Sequence, residues 1–200
     1  MITGRSGNTV LLLKSCILKV ILTKYISYSP ILSRTMEKNW LLIKEQRAYD
    51  IDELKALIAY QYHPKAVEIL DQGSIRIEKS EKTGRIKHVF INEKLVASIR
   101  APDGYLLFSI EGAKLFLSLV PPLTMRVVIA PEIATFIAKG RSVFSKHVLQ
   151  VDKEIRPGEE IFVVTPEDSL VAIGRAVLSG WEMGKMEKGV AVKIRKGLRK

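Results

Sequence analysis

Two periods alternate along this chain, and its elements change where the period changes. Between positions 52 and 62 the apolar residues Leu54, Leu57 and Ile58 fall at the i, i+3, i+4 spacing of one helix face. A helix is therefore predicted there, with Asp50, Asp52 and Glu53 as acids at its start, where the helix dipole favours them. His63-Pro64 ends it, and Pro64 suits the first turn of a second short helix, PKAVEIL, stopped by Gly73. Beyond Gly73 the period falls to two. IRIEKS, IKHVFI, LVASIR and YLLFS read as short strands, parted by the turn signals TGR at 83–85, NEK at 92–94 and APDG at 101–104. EGAKLFLSLV at 111–120 is helical again and closes against Pro121-Pro122, the best linker in the chain.

Past the double proline, MRVVIA at 125–130 reads as a buried strand and PEIATFIAK at 131–139 as a helix with proline in its first turn and Gly140 as its stop. RSVFSKHVLQV follows as strand material. EIFVVT and SLVAIGRAVLS form a hairpin around Pro166-Glu167-Asp168, WEMGKMEK is a short helical piece, and GVAVKIRKG is a basic last strand. The whole is an α+β chain: a small α/β domain over 36–122, then over 123–200 a small barrel or open sandwich with one or two short helices.

Charge changes this picture at both ends. Of 32 Lys and Arg against 21 Asp and Glu, residues 1–35 hold five basic residues and no acid, and residues 185–200 hold seven against Glu187. The stretch between them is balanced, so the excess that a polyanionic partner would use is concentrated on the last strand. The apolar run at 10–32 suits neither a signal peptide nor a membrane span, because Lys14, Lys19 and Lys24 interrupt it and point all round a helix axis. Residues 1–35 are expected to be a disordered or non-native extension, with Met36 as the functional start; a basic arm touching membrane or RNA is the alternative. One cysteine and three scattered histidines exclude an intramolecular disulfide and a structural zinc site of the usual kinds.

Several separated motifs carry a resemblance. K-G-R-S-V-F-S-K-H-V at 139–148, D-K-E-I-R-P-G-E-E-I-F-V-V at 152–164, L-V-A-I-G-R-A-V-L-S at 170–179 and E-M-G-K-M-E-K-G-V-A-V-K-I-R at 182–195 follow one another as in a PUA domain, a small RNA-binding pseudobarrel. S-E-K-T-G-R-I-K-H-V-F at 80–90, I-R-A-P-D-G at 99–104 and S-I-E-G-A-K-L at 109–115 resemble the domain before the PUA domain in archaeal tRNA-guanine transglycosylase, the archaeosine-pathway enzyme. The resemblance implies a cytoplasmic protein that binds tRNA, the PUA part at the acceptor end, with a catalytic transglycosylase subunit as a possible partner. It implies no catalysis and no cofactor in this chain: the family's chemistry resides in a (β/α)8 barrel of about 200 residues or more, with a structural zinc site, and neither has room or ligands here. The alternative is a translation-associated PUA protein binding rRNA or tRNA.

By the same resemblance the RNA-contact residues are Lys139, Gly140, Arg141, Ser142, Val143, Phe144 and Lys146, with Lys193 and Arg195 on the last strand. A glycine lets backbone approach phosphate or ribose, and the cations supply charge; spacing alone reads Gly140 as a helix C-cap. KIRKGLRK is either a solvated tail or a strand with one cationic face. The cluster Arg76, Lys79, Lys82, Arg85, Lys87, diluted by Glu78 and Glu81, reads equally as a solvated hairpin. Phe90, Tyr105, Phe108 and Phe116 are expected in the core, and Trp181 and Phe144 are better candidates for exposed aromatics. No metal site or nucleophile motif stands out.

Overall fold

The computed structural model describes residues 30–198, with side chains from Leu41 onward except Lys44; of the extension expected over residues 1–35, residues 1–29 lie outside the described residues and residues 30–35 are helical. The chain divides into two units, Met1–Ile51 and Asp52–Lys200. Helix α1 is longer than predicted: it spans Pro30–Gln61. No glycine or proline interrupts EKNWLLIKEQRA, which is rich in strong helix formers, so nothing stops the helix upstream of its first periodic apolar residue. Asp50, Asp52 and Glu53 consequently sit inside the helix rather than at its start. In the first unit Leu41, Leu42, Ile43 and Tyr49 are exposed, and Gln46 Nε2 donates to Asp50 Oδ1 (3.2 Å).

In the second unit the end of α1 contributes Leu54 and Ile58 to the core. The predicted second helix is a 3-10 segment, Pro64–Asp71, whose start is capped by His63 Nδ1 accepting from the Lys65 amide. Strands β1 (Ile75–Lys79), β2 (Ile86–Ile91), β3 (Lys94–Ile99) and β4 (Leu106–Phe108) form an antiparallel meander. Helix α2 (Ile110–Leu119) is capped by Ser109, whose Oγ accepts from the Gly112 amide (3.1 Å). It lies so close to β3 that a Cβ on Gly112 would collide with the Val96 carbonyl oxygen.

Strands β5 (Arg126–Ile129), β6 (Val143–Phe144), β7 (Val148–Val151), β8 (Glu160–Val164), β9 (Leu170–Ala176) and β10 (Val190–Gly197) form a second sheet in the order β6-β10-β9-β8-β5-β7. Only the β5–β8 pairing is parallel. The stretch expected as one strand, RSVFSKHVLQV, is split: a 3-10 turn, Ser145–His147, separates β6 on one edge from β7 on the other. A sheet whose two edges are joined by three residues must curl, and this closes the pseudobarrel. Helices α3 (Ala134–Ala138) and α4 (Gly180–Met183) are short, the second opened by a capping box between Ser179 and Glu182. Among the described residues no helix is long and apolar enough to cross a membrane.

Candidate nucleic-acid interface

The end of α3 builds the first part of the face. The Gly140 amide donates to the Ile137 carbonyl (2.9 Å) with φ at +93°, a backbone that glycine adopts without strain. Nothing occupies the space where a side chain would stand. Lys139, Gly140 and Arg141 are exposed and Ser142 is half-buried. The turn rests on the end of β10, because a Cβ on Gly197 would collide with the Ala138 carbonyl oxygen. Strand β6 pairs with β10, Val143 opposite Val192 and Phe144 opposite Val190, so Lys193 follows directly on the residue facing β6. Phe144, 47% exposed, Lys146 and Lys193 face solvent.

Two residues depart from the expected contact set. Val143 is fully buried, so its side chain packs the barrel and any contact at this position falls to the backbone of the edge strand β6. Arg195 is engaged elsewhere: its Nε donates to Glu160 Oε2 (2.7 Å) and its Nη2 to the Phe108 carbonyl (2.7 Å). Glu160 Oε1 accepts from the Phe108 amide (2.9 Å) and lies 3.1 Å from the Tyr62 hydroxyl, which donates to the Leu106 carbonyl (2.7 Å). Arg195 and Glu160 thus tie the barrel to the meander. Burial raises the Glu160 carboxyl above the ordinary glutamate range, opposed by Arg195, and burial pushes the Tyr62 phenol well up.

A carboxyl whose folded pKa is raised contributes stability that is fully present below its unfolded value, about 4.3, and is lost as pH rises through the folded one. The stability of wild type relative to Glu160→Gln should therefore decline from acid pH toward neutrality, read by urea melts of both proteins across that window. A difference that grows with pH would mean that the Arg195 pair outweighs burial.

The domain boundary is held by a residue that sequence reasoning passed over. Arg126, 1% exposed, gives Nη1 to the carbonyls of Pro121 (2.6 Å) and Thr124 (3.2 Å) and Nη2 to those of Leu117 (2.8 Å) and Val120 (3.3 Å). It caps the C-terminal end of α2, where a cation is favoured, and Asp168 lies 2.8 Å from its Nε. The Pro121-Pro122 segment is thus a fastened joint rather than a free linker. Phe162 of β8 adds to it, its ring 4.5 Å from that of Phe116 and 6.2 Å from that of Tyr62.

Among the aromatics, Phe108 and Phe116 are buried as expected and Phe90 and Tyr105 are half-buried. Trp181 is 55% exposed, with the ammonium groups of Lys185 and Lys153 at 4.9 and 5.2 Å from its ring. The cluster around β1 is partly self-neutralised, since Arg76 pairs with both Glu78 and Glu93.

Comparison with known proteins agrees with this architecture. Residues 125–198 match the PUA domain, and residues 52–122 match the patch-forming domain C2 of tRNA-guanine transglycosylase. Residues 125–198 thus carry a PUA domain, with a C2-type patch-forming domain directly ahead of the barrel. Its sequence resembles tRNA-guanine(15) transglycosylases of archaea. It is 38% identical to that of Methanobrevibacter smithii over 151 residues, 76% of this chain and 23% of the relative. It is likewise 38% identical to that of Pyrococcus furiosus over 176 residues, 88% of this chain and 30% of the relative. The chain thus spans less than a third of the length of these relatives. Among solved structures, a hypothetical protein of Pyrococcus horikoshii superposes with a TM-score of 0.62 at 22% identity, covering 76% of this chain and 92% of that one. A PUA domain of Aeropyrum pernix does so with a TM-score of 0.57 at 14% identity, covering 78% and 83%. Both share the fold.

Proposed function

We propose that this chain binds tRNA and presents it to base-modification chemistry of the archaeosine type carried by another polypeptide, a transglycosylase subunit, without itself exchanging the base. The observation that carries this reading is the open, cationic turn Lys139-Gly140-Arg141, seated on β10 of a PUA barrel that is fastened to a C2-type domain. A small cationic surface binds RNA backbone in many contexts; one held at a fixed angle to a second domain can orient a folded RNA as well. The barrel takes the acceptor end, as the family resemblance suggests, and the C2-type domain meets the tRNA body or the catalytic partner. Such a protein works in the cytoplasm.

Gel shift with tRNA tests it. Wild type should bind with strong salt dependence, since each Lys or Arg phosphate contact releases close to one counterion. Arg141→Glu should bind about tenfold more weakly or worse, losing one contact and adding a repulsive charge. Wild-type affinity in that variant would remove the turn from the interface. Guanine exchange by the purified chain alone would overturn the non-catalytic assignment, and co-purification with a ribosomal subunit instead of a transglycosylase barrel would replace base modification by translation.

A further inference from the structure

Arg175 on β9 and Lys193 on β10 stand directly opposite one another in register. Like charges in that relation destabilise a sheet, and nothing among the described residues neutralises either. Arg175 gives its Nε to the Gly158 carbonyl (2.9 Å), an uncharged acceptor, and Lys193 has no ion pair. Glu160, across from Arg175 on β8, has its carboxylate occupied by Arg195 and the Phe108 amide. A pair of cations held side by side and left without an anion is a site shaped for one.

The surroundings fit. Arg175 and Lys193 line a shallow depression of about 430 Å³ with Pro157, Gly158, Ala176 and Val177. Gly158 has φ at +96°, and a side chain there would crowd the guanidinium, since Arg175 Nη2 would lie 3.3 Å from its Cβ. The Gly158 loop is tied to β9 by its amide, which donates to the Ala176 carbonyl (2.8 Å). The guanidinium is thus fixed through Nε, with its terminal nitrogens left to donate. Val177, 46% exposed, offers an apolar floor beside it.

We propose that Arg175 and Lys193 bind one backbone phosphate of RNA, extending the contact face from β6 across β10 onto β9. Arg175 donates in its planar fork, Lys193 acts as a point charge, and the phosphate offsets the repulsion that the free protein carries. The site rests on the RNA-binding reading given above. It runs along the row that leads from the domain joint at Glu160 outward, so RNA seated there passes beside the joint.

The test measures tRNA affinity over a salt series for wild type, Arg175→Gln, Lys193→Gln and the double variant, with thermal melts of the free proteins. Each single variant should bind about five- to tenfold more weakly, with the log–log salt slope shallower by about 1. The double variant should lose less than the product of the two, because both cations serve one phosphate. Free Lys193→Gln should melt no lower than wild type, the repulsion having been relieved. Folded variants that bind like wild type, or that bind more weakly with an unchanged slope, would overturn the phosphate site. So would a lower melting temperature for Lys193→Gln. Failure of wild type to bind tRNA at all would instead remove the RNA-binding reading as a whole.

Discussion

Arg126→Met should destabilise the second unit by about 3 kcal/mol or more, although methionine fills much the same volume. The guanidinium makes four contacts to carbonyls within the α2 end and the double-proline segment. Each carbonyl left without a donor in a buried setting costs about 1–3 kcal/mol, and some will find water once the joint loosens. Asp168 is 41% exposed and tolerates losing its partner, so the cost falls on the backbone acceptors rather than on an orphaned charge. Arg126→Lys should recover little, because a single ammonium cannot serve both pairs of carbonyls. Urea unfolding of the three proteins decides it: a loss below about 1 kcal/mol for the methionine variant would show that the joint is held elsewhere.

Phe162→Ala should cost about 3–5 kcal/mol. Its ring is fully buried and stands within 4.5–6.2 Å of Phe116, Phe108 and Tyr62, which come from the other domain. The void would open between the barrel sheet and rings from α2, β4 and the end of α1, and the Tyr62 ring is held by its hydrogen bond to Leu106, so collapse into it is restricted. Phe144→Ala, at a half-exposed ring on β6, should change stability by no more than about 0.5 kcal/mol and serves as the reference. Equal effects of the two substitutions would mean that the aromatic cluster does not couple the domains.

Most of the strands and the helix before the double proline were legible, because period two and period 3.6 are local properties and the turn residues between them are unambiguous. Three things were not. The extent of α1 was hidden because Leu41, Leu42 and Ile43 are consecutive and exposed and so leave no helical period to read. The split between β6 and β7 was hidden because both halves are extended and apolar; only closure of the sheet sends them to opposite edges. The role of Arg195 was hidden because its place in a basic strand reads as surface, whereas its partner Glu160 is 35 residues away and looks like an ordinary turn acid beside Pro157-Gly158. In the same way Asp168 reads as turn chemistry, which its φ of +57° bears out, and its proximity to Arg126 appears only in three dimensions.

The position of β5 between β7 and β8 bears on the order in which the protein assembles. Each partner of β5 follows it in the sequence, β8 by more than thirty residues, so during synthesis it emerges well before anything it can pair with. The meander ahead of it consists of neighbouring strands and can form at once, as local contacts do. The carbonyls that Arg126 serves all precede it, so its guanidinium can close the end of α2 at once, whereas Phe162 and Asp168 reach the joint only when β8 and the turn after it have been made. The seam between the domains is thus built in stages, from the α2 end closed by Arg126, through Phe162 on β8, to Arg195 on β10, the strand that also completes the sheet.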